Sequence, residues 1–156
     1  MTDLLVRRAV LDDVDRIAAF NRAMAHETEG KELDPPTVRR GVARLIEDEA
    51  KGFYLVAARA QAPGAPVGQL MVTYEWSDWR DGWFWWLQSV YVEPQARRGG
   101  VFRALWADLS RRARERDDVR GLRLYVDRDN ERARSTYLAL GMHAARYDLL
   151  ELDHPA

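Results

Sequence analysis

A strand that leads through a glycine-bearing loop into an amphipathic helix constrains this fold more than any other feature of the sequence. Residues 83–92, WFWWLQSVYV, are aromatic and β-branched, which is typical of a strand. The apolar residues that follow Val101 recur at helical spacing as far as about Asp117, and LRLYV (122–126) predicts the next strand. Such a strand–helix crossover requires a sheet with helices packed on its faces.

Local signals predict the other elements around this crossover. Asp34-Pro35 joins a capping residue to a proline at the first helical position, and Gly141 is typical of a helix C-terminus. β-Prone runs predict strands at 4–9, 53–60, 66–76 and 143–152, and the turn QAPGA (61–65) joins the second and third into an antiparallel hairpin. Helical spacing predicts helices from Asp12 or Asp13 through Ala25, from Pro35 to about Ala50, and from Asn130 to Leu140.

The predicted order is therefore β-α-α-β-β-β-α-β-α-β. Strands outnumber helices, and a hairpin section precedes two strand–helix crossovers, so the fold class is α+β: an α/β mixed sheet with helices on its faces. The chain of 156 residues contains no repeat or linker, and we expect residues 1–156 to form a single domain. Ligands in such sheets bind where strands diverge at their carboxyl ends, and the loop after Val92 lies at such an end.

Composition narrows the function classes. A net charge of −1 argues against nucleic acid or an anionic membrane as the partner of the whole protein. The chain has no cysteine, which excludes disulfides, thiolate nucleophiles and cysteine-ligated zinc, and its three histidines show no paired spacing, so no metal is expected. The first residues lack a signal-peptide pattern, and no apolar run approaches the roughly 20 residues of a membrane helix, so we expect a cytoplasmic protein.

The loop at residues 93–100, EPQARRGG, has a physical use at a strand-to-helix junction. A helix N-terminus leaves about four backbone N–H groups without helical partners and carries a partial positive charge. Gly99 and Gly100 allow a ligand to approach the backbone, and nearby arginines add positive charge, so a pyrophosphate would fit. The alternative is a capped turn whose arginines are merely solvated.

Two motifs resemble those of the GNAT N-acetyltransferases. Residues 92–105, VEPQARRGGVFRAL, resemble the acyl-CoA-binding motif V-x-P-x-x-R-x-x-G-x-G/A-x-x-L, with Phe102 where the family usually has glycine or alanine. Residues 130–142 resemble the element N-x-x-A-x-x-x-Y-x-x-x-G-F/M, with Asn130 and Tyr137 in register. The resemblance implies a central, mostly antiparallel sheet flanked by helices, and acetyl-CoA as cosubstrate without a metal.

The same resemblance implies the residues that contact the cosubstrate. Backbone groups of Val90, Tyr91 and Val92 are implied to bind the pantetheine. Asn130 is implied to contact the cosubstrate, and Tyr137 to lie near its sulfur. The pyrophosphate is implied to bind backbone N–H groups of the loop and first helical turn: Arg97, Arg98, Gly99, Gly100, Val101, Phe102 and Arg103.

Acetyl transfer to an amine needs a proton donor for the leaving thiolate and a base for the amine. A tyrosine hydroxyl can protonate the thiolate, so Tyr137 is the candidate general acid, although its spacing from Ala133 and Leu140 also suits simple helix packing. Glu27 and Glu29, in HETEG (26–30), are candidate bases that would attract a cationic amine; a solvated helix end is the alternative. Glu75, beside two tryptophans, or a relayed water are further candidates for the base.

The sequence therefore predicts an acetyl-CoA-dependent N-acetyltransferase acting on a primary amine of a small cationic molecule. A protein lysine or N-terminal acetyltransferase and a non-catalytic acyl-CoA-binding or regulatory module remain open alternatives. The expected partner is a small-molecule amine acceptor, with no nucleic acid and no membrane, and a homodimer stays open.

Overall fold

Five strands and four α-helices form within residues 3–155, the part of the chain that this computed structural model describes. The strands are β1 Leu4–Arg8, β2 Gly52–Arg59, β3 Pro66–Ser77, β4 Gly82–Val92 and β5 Val119–Leu124. The helices are α1 Val14–Glu29, α2 Pro35–Glu47, α3 Val101–Arg114 and α4 Glu131–Ala139, and short 3₁₀ turns cover Leu11–Asp13 and Pro94–Ala96.

The sheet has the spatial order β1-β2-β3-β4-β5. The first three pairings are antiparallel, and β4 pairs with β5 in parallel across the crossover that α3 makes. A parallel pair needs such a crossover, whereas short turns join the antiparallel strands β2 to β3 and β3 to β4, and α1 and α2 lie between β1 and β2. The predicted α+β class, with a mixed and mostly antiparallel sheet flanked by helices, is confirmed.

Both faces of this sheet are covered. Alternate residues of β2 point to opposite faces: Phe53, Leu55 and Ala57 pack with α3, and Tyr54 and Val56 pack with α1 and α2. Burial on both faces explains why FYLVAA is continuously apolar rather than alternating. The α3 face also holds Leu70, Val72, Trp85 and Leu87 of the neighbouring strands.

Asp34 and either Asp12 or Asp13 are the residues that the sequence offers as N-caps of the first two helices, and the structure treats them differently. Asp34 caps α2, because its carboxylate accepts a hydrogen bond from the N–H of Thr37 at 3.1 Å. Asp13 precedes α1, but its side chain makes no cap hydrogen bond. The chain enters α1 through a 3₁₀ turn, so the Asp13 carboxylate turns back to Arg7 (2.7 and 2.9 Å) and to the N–H of Val10 (2.8 Å).

Some predicted boundaries need correction. β5 begins three residues earlier than predicted and ends at Leu124, and α3 ends at Arg114 rather than near Asp117. α2 ends at Glu47 rather than at Ala50, because the carboxylate of Asp48 accepts from the N–H of Ala50 at 3.0 Å and stabilises a turn there.

Residues 125–155 belong to a second compact unit, separate from the unit that ends at Leu124. Its regular element is α4, which Asn130 caps through its side-chain oxygen. The strand predicted at 143–152 is wrong, because this segment has no regular secondary structure. A β-prone run becomes a strand only where a neighbouring strand supplies its hydrogen bonds, and Tyr147 and Leu150 here are largely exposed.

Candidate acyl-coenzyme A site

The edge of β4 is left open near its carboxyl end. Pairing with β5 stops at Leu87 opposite Leu124, whereas pairing with β3 continues to Val92 opposite Gly68. Within residues 3–155, the last five residues of β4 therefore have no β5 partner in the sheet. Because backbone groups at such an edge are available to a ligand, an extended amide-bearing chain such as pantetheine can bind there.

The direction of each backbone group on this edge follows from one hydrogen bond. The N–H of Glu93 donates to the carbonyl of Val67 on β3 at 2.9 Å. Backbone groups alternate along a strand, so those of Tyr91 face β3, whereas those of Val92 and Val90 face the open edge. The side chain of Arg97 reaches the carbonyl of Val92 at 2.9 Å, in agreement with this direction. Val90 and the N–H of Val92 thus face the open edge, whereas the Val92 carbonyl is bonded to Arg97.

The loop that follows β4 delivers the chain to the N-terminus of α3. Gly100, at the N-cap, has a φ of +81°, which favours glycine, and Arg98 also has a positive φ, of +65°. A side chain on Gly99 would place its Cβ 3.1 Å from the carbonyl oxygen of Ala96. The first α3 bond runs from the N–H of Ala104 to Gly100 at 3.0 Å, so the N–H groups of residues 101–103 precede the helical ladder.

Positive charge at this loop has two origins. Arg98 and Arg103 are exposed, and neither makes an ion pair within the described part of the chain. The N-terminus of α3 adds its partial positive charge, and no side chain caps it, since the N-cap residue is a glycine. A diphosphate fits this combination of donors, glycines and arginines.

Arg97 is engaged by α1 and β4 instead. Its Nη2 donates to Oε2 of Glu27 at 2.8 Å, and its guanidinium lies 5.4 Å from the centroid of the Tyr91 ring. The hydroxyl of Tyr91 donates to Oε1 of Glu27 at 2.9 Å, and its ring packs against Phe20 with centroids 5.3 Å apart. These contacts join the last turn of α1, the end of β4 and Arg97 in the loop at residues 93–100.

The charge state of this cluster follows from its contacts. The hydrogen bonds from Arg97 and Tyr91 lower the pKa of Glu27. Partial burial, together with the Glu27 carboxylate, raises the pKa of Tyr91. Glu27 is therefore an anion with both oxygens occupied, which makes it a weaker base than a carboxylate in water.

The other two candidate bases lie in different places. Glu29 is the last residue of α1 and is exposed, with its carboxylate 3.7 Å from the ammonium of Lys31. Glu75 pairs with Arg123 at 2.5 Å and lies opposite Phe84 in the sheet. Phe84 is six residues before Val90, or about 20 Å along β4, so the structure does not bring Glu75 to the open edge.

The two site residues in the second unit have local roles as well. The side-chain oxygen of Asn130 accepts from the N–H of Ala133 at 3.1 Å and so caps α4. Partial burial raises the pKa of Tyr137. A phenol with a pKa above its ordinary value of about 10 is protonated at neutral pH, as a general acid must be.

Sequence reasoning missed Gln69 and Ser89: Ser89 lies in the open segment of β4, and Gln69 lies on β3 on the other side of that strand. Gln69 is 0% exposed, and its Nε2 donates to Oδ1 of Asn21 at 2.7 Å and to the carbonyl of Ser89 at 3.1 Å. Ser89 has a φ of +51°. The available signal was one amide in the apolar run VGQLMV, since a buried polar side chain requires a partner.

Residues 3–155 contain neither a metal-ligand cluster nor a membrane-spanning helix. No three side chains among the histidines, aspartates and glutamates there come together as ligands for a metal ion. In the same residues, no helix combines the length and the apolar character that crossing a membrane would require.

Several solved structures share this fold, among them three that are named as acetyltransferases. A possible acetyltransferase from Clostridium difficile 630 is 42% identical, with a TM-score of 0.90 over 98% of this chain and 99% of that one. A predicted acetyltransferase with acetyl-CoA from Clostridium acetobutylicum is 16% identical, with a TM-score of 0.75 over 96% of each chain. A ribosomal-protein-alanine N-acetyltransferase from Brucella melitensis biovar Abortus 2308 is 20% identical, with a TM-score of 0.76 over 97% and 99%. The last two likenesses show the fold alone.

The fold and the open edge thus define an acetyltransferase domain. Residues 17–142 match the sequence model of the Acetyltransferase (GNAT) family. No curated protein matches the sequence. The chain belongs to the GNAT acetyltransferase family, whose members transfer an acetyl group from acetyl-CoA, and the expected family membership is confirmed.

Proposed function

We propose that this protein is an N-acetyltransferase that moves an acetyl group from acetyl-CoA to the primary amine of a small cationic molecule by direct attack. The observation that carries the proposal is the open edge of β4 leading into the uncapped N-terminus of α3. This pair of features offers peptide-like partners for pantetheine and N–H donors for a diphosphate, which are the two chemically distinct parts of coenzyme A.

Acetyl-CoA, when bound, supplies an activated thioester carbonyl to the reaction. The backbone of Val90 and Val92 would hold the pantetheine, and the N–H groups of residues 101–103, with Arg98 and Arg103, would hold the pyrophosphate. The N–H of Val90 would donate to the carbonyl oxygen as negative charge develops there. One such donor is worth roughly 10²–10³-fold in kcat.

The end of α1 supports a cationic acceptor. Residues 26–34 carry four carboxylates against one lysine: Glu27, Glu29, Glu32 and Asp34 against Lys31. The carbonyl groups at the C-terminus of α1 add a partial negative charge at the same place. Both features attract an ammonium group and position it before it loses its proton.

The reaction would need a base that takes a proton from the amine and an acid that gives one to the thiolate. Because Glu27 is engaged by Arg97 and Tyr91, we assign the base to Glu29 or to a water that a carboxylate orients. Tyr137 would protonate the departing thiolate; its register in the family motif and its raised pKa support this role.

An acceptor screen tests the proposal. Purified protein is mixed with acetyl-CoA and single amines, and free thiol is followed with a chromogenic reagent. The panel contains polyamines, amino-acid amides, lysine peptides and peptides with a free N-terminus. We expect thiol release with a small cationic amine. Gly100→Val should bind CoA more weakly than the wild type, because valine opposes the left-handed backbone at this position of the loop.

Three results of the screen would count against the proposal or modify it. Release with peptides alone would identify a protein acetyltransferase instead of a small-amine enzyme. CoA binding without thiol release, with any acceptor, would favour the non-catalytic acyl-CoA-binding module. Equal CoA affinity of the wild type and Gly100→Val, measured by calorimetry, would contradict the role of the loop.

A further inference from the structure

The part of β4 that forms the open edge contains one residue more than the part of β3 that pairs with it. Gln69 pairs with Tyr91 and Met71 pairs with Gln88, so one residue of β3 lies opposite two residues of β4, Ser89 and Val90. This is a β-bulge, and such bulges redirect backbone groups next to functional sites. The left-handed φ of Ser89, +51°, is part of the bulge and is uncommon for a residue other than glycine.

The side chain of Gln69 holds this bulge from the α1 side of the sheet. Its Nε2 donates one hydrogen to the carbonyl of Ser89 and the other to Oδ1 of Asn21 on α1. The amide of Asn21 in turn donates to the hydroxyl of Tyr54 at 3.3 Å. The carbonyl of Ser89 is thus bonded to a buried side chain that two elements of the core hold in place.

The carbonyl of Ser89 and the N–H of Val90 belong to the same peptide group. No peptide bond in the described chain is cis, and in a trans peptide the C=O and N–H point in opposite directions. A side chain that binds the carbonyl on one side therefore aims the N–H to the other. For Val90 that direction is the open edge, as the alternation along β4 also requires.

We propose that Gln69 is a positioning residue for acetyl transfer: by binding the Ser89 carbonyl, it aims the Val90 N–H at the thioester carbonyl oxygen of bound acetyl-CoA. The inference rests on the proposed function, because it takes the Val90 N–H as the donor to that oxygen. Gln69 itself touches neither reactant.

A purely structural role explains the geometry of Gln69 less well. Within residues 3–155, its Oε1 is buried without a hydrogen-bond partner, and such a group destabilises a fold. An apolar side chain of equal length would fill the same space without that cost. An apolar side chain would not supply the hydrogen-bond donor that prevents the Ser89–Val90 peptide from flipping.

The test compares Gln69→Met with wild type bound to acetyl-CoA labelled with ¹³C at the carbonyl, in the absence of an acceptor. A hydrogen bond to this carbonyl lowers its stretching frequency, which difference infrared spectroscopy measures directly. We expect a lowered frequency in the wild type and a return toward the free value in Gln69→Met. With an accepted amine, kcat should fall about 10- to 100-fold, less than the ~10²–10³-fold cost of losing a donor outright, while KM for acetyl-CoA stays within about threefold.

Thr73→Val is the matched control. Thr73 lies on the same strand as Gln69, and its hydroxyl accepts from Nε2 of Gln88, the residue before Ser89, at 2.6 Å; the variant removes a side-chain bond beside the bulge but leaves the bond to the Ser89 carbonyl in place. Its carbonyl frequency should equal that of the wild type, with a change in Tm similar to that of Gln69→Met. If Gln69→Met does not fold, Asn21→Ala removes the side-chain bond that holds the Gln69 amide in place and should move the frequency in the same direction.

The outcomes separate this inference from the proposed function. An unchanged frequency in Gln69→Met, or a wild-type frequency equal to the free value, overturns the positioning role even if amines are acetylated. A frequency that follows Gln69 while no acceptor releases CoA supports the positioning of Val90 and overturns acetyl transfer. A wild type that fails to bind acetyl-CoA overturns both.

Discussion

Replacing Glu27 with glutamine tests whether its ion pair orders the loop at residues 93–100. The change removes the pairing with Arg97 but retains an oxygen that can accept from the hydroxyl of Tyr91. The guanidinium of Arg97 also binds the carbonyl of Val92, so it ties the loop to the strand that precedes it. We therefore expect Glu27→Gln to weaken CoA binding, because the loop loses part of its ordering before the ligand arrives.

The size of the effect follows from exposure. The side chains of Arg97 and Glu27 are 46% and 40% exposed, and a pair of this kind contributes about 0.2–1 kcal/mol after solvent screening. The dissociation constant for CoA should therefore rise by up to about fivefold. Glu27→Ala also removes the bond from Tyr91, which is worth about 0.5–1.5 kcal/mol, and should weaken binding further.

Isothermal titration of CoA at low and high salt measures the effect. The dissociation constant of Glu27→Gln divided by that of the wild type should approach one at about 1 M salt, where the screening length is about 3 Å. The lowered pKa of Glu27 keeps the pair intact above its ordinary pKa of about 4.3, and the contribution is lost as pH falls through the lowered value. At neutral pH the wild type therefore has the complete Glu27–Arg97 ion pair and Glu27→Gln has no ion pair, so the titrations measure its whole contribution.

Glu29→Gln is the matched control for charge. It removes the same formal charge two residues along the helix, where the contact is only a 3.7 Å approach to Lys31, and should leave the CoA dissociation constant unchanged. Tighter binding of CoA by Glu27→Gln would refute the ordering argument. It would mean that a released Arg97 serves the phosphates better than an anchored one.

Tyr137→Phe should lower kcat about 10²-fold or more with CoA affinity near that of the wild type, because the phenol is lost and the ring is retained; a kcat within about threefold, with chemistry rate-limiting, would remove Tyr137 from the mechanism. Asp13→Asn should lower the free energy of unfolding by about 2–3 kcal/mol in urea titrations at neutral pH, since Asp13 is 3% exposed and pairs bidentately with Arg7. Burial alone would raise the pKa of Asp13, but the hydrogen bonds from Arg7 and Val10 lower it overall. Wild-type stability should therefore fall as pH drops through that lowered pKa while the variant changes less; parallel pH profiles would contradict this reasoning.

Features set by neighbours in sequence were predictable. The cap of α2 at Asp34, the cap of α4 at Asn130 and the left-handed residue at Gly100 each depend on fewer than five consecutive residues. The order of elements up to α4 follows from the same local signals. The strand predicted at 143–152 failed because a strand depends on its neighbour and not only on its own composition.

The features that sequence reasoning missed join residues far apart in the chain. Glu27 and Arg97 are 70 positions apart, and Gln69 and Ser89 are 20 apart. Nothing near Glu27 in the sequence indicates an arginine partner, so the sequence predicts a base or a solvated helix end there and gives no sign of the ion pair. The bulge at Ser89 depends on the register between β3 and β4, which their composition does not specify.

The distribution of tryptophan has an optical consequence. Of the six indoles, five lie on β3, β4 and the turn between them, and the sixth, Trp106, lies on α3. Trp76 and Trp83 approach to 4.9 Å between ring centroids, close enough to exchange excitation energy, whereas Trp79 is 93% exposed and open to quenching by solutes. Trp106 lies one helical turn after Phe102, with ring centroids 6.3 Å apart. Emission from the hairpin therefore reports on the sheet, whereas that of Trp106 reports on the start of α3, next to the loop at residues 93–100.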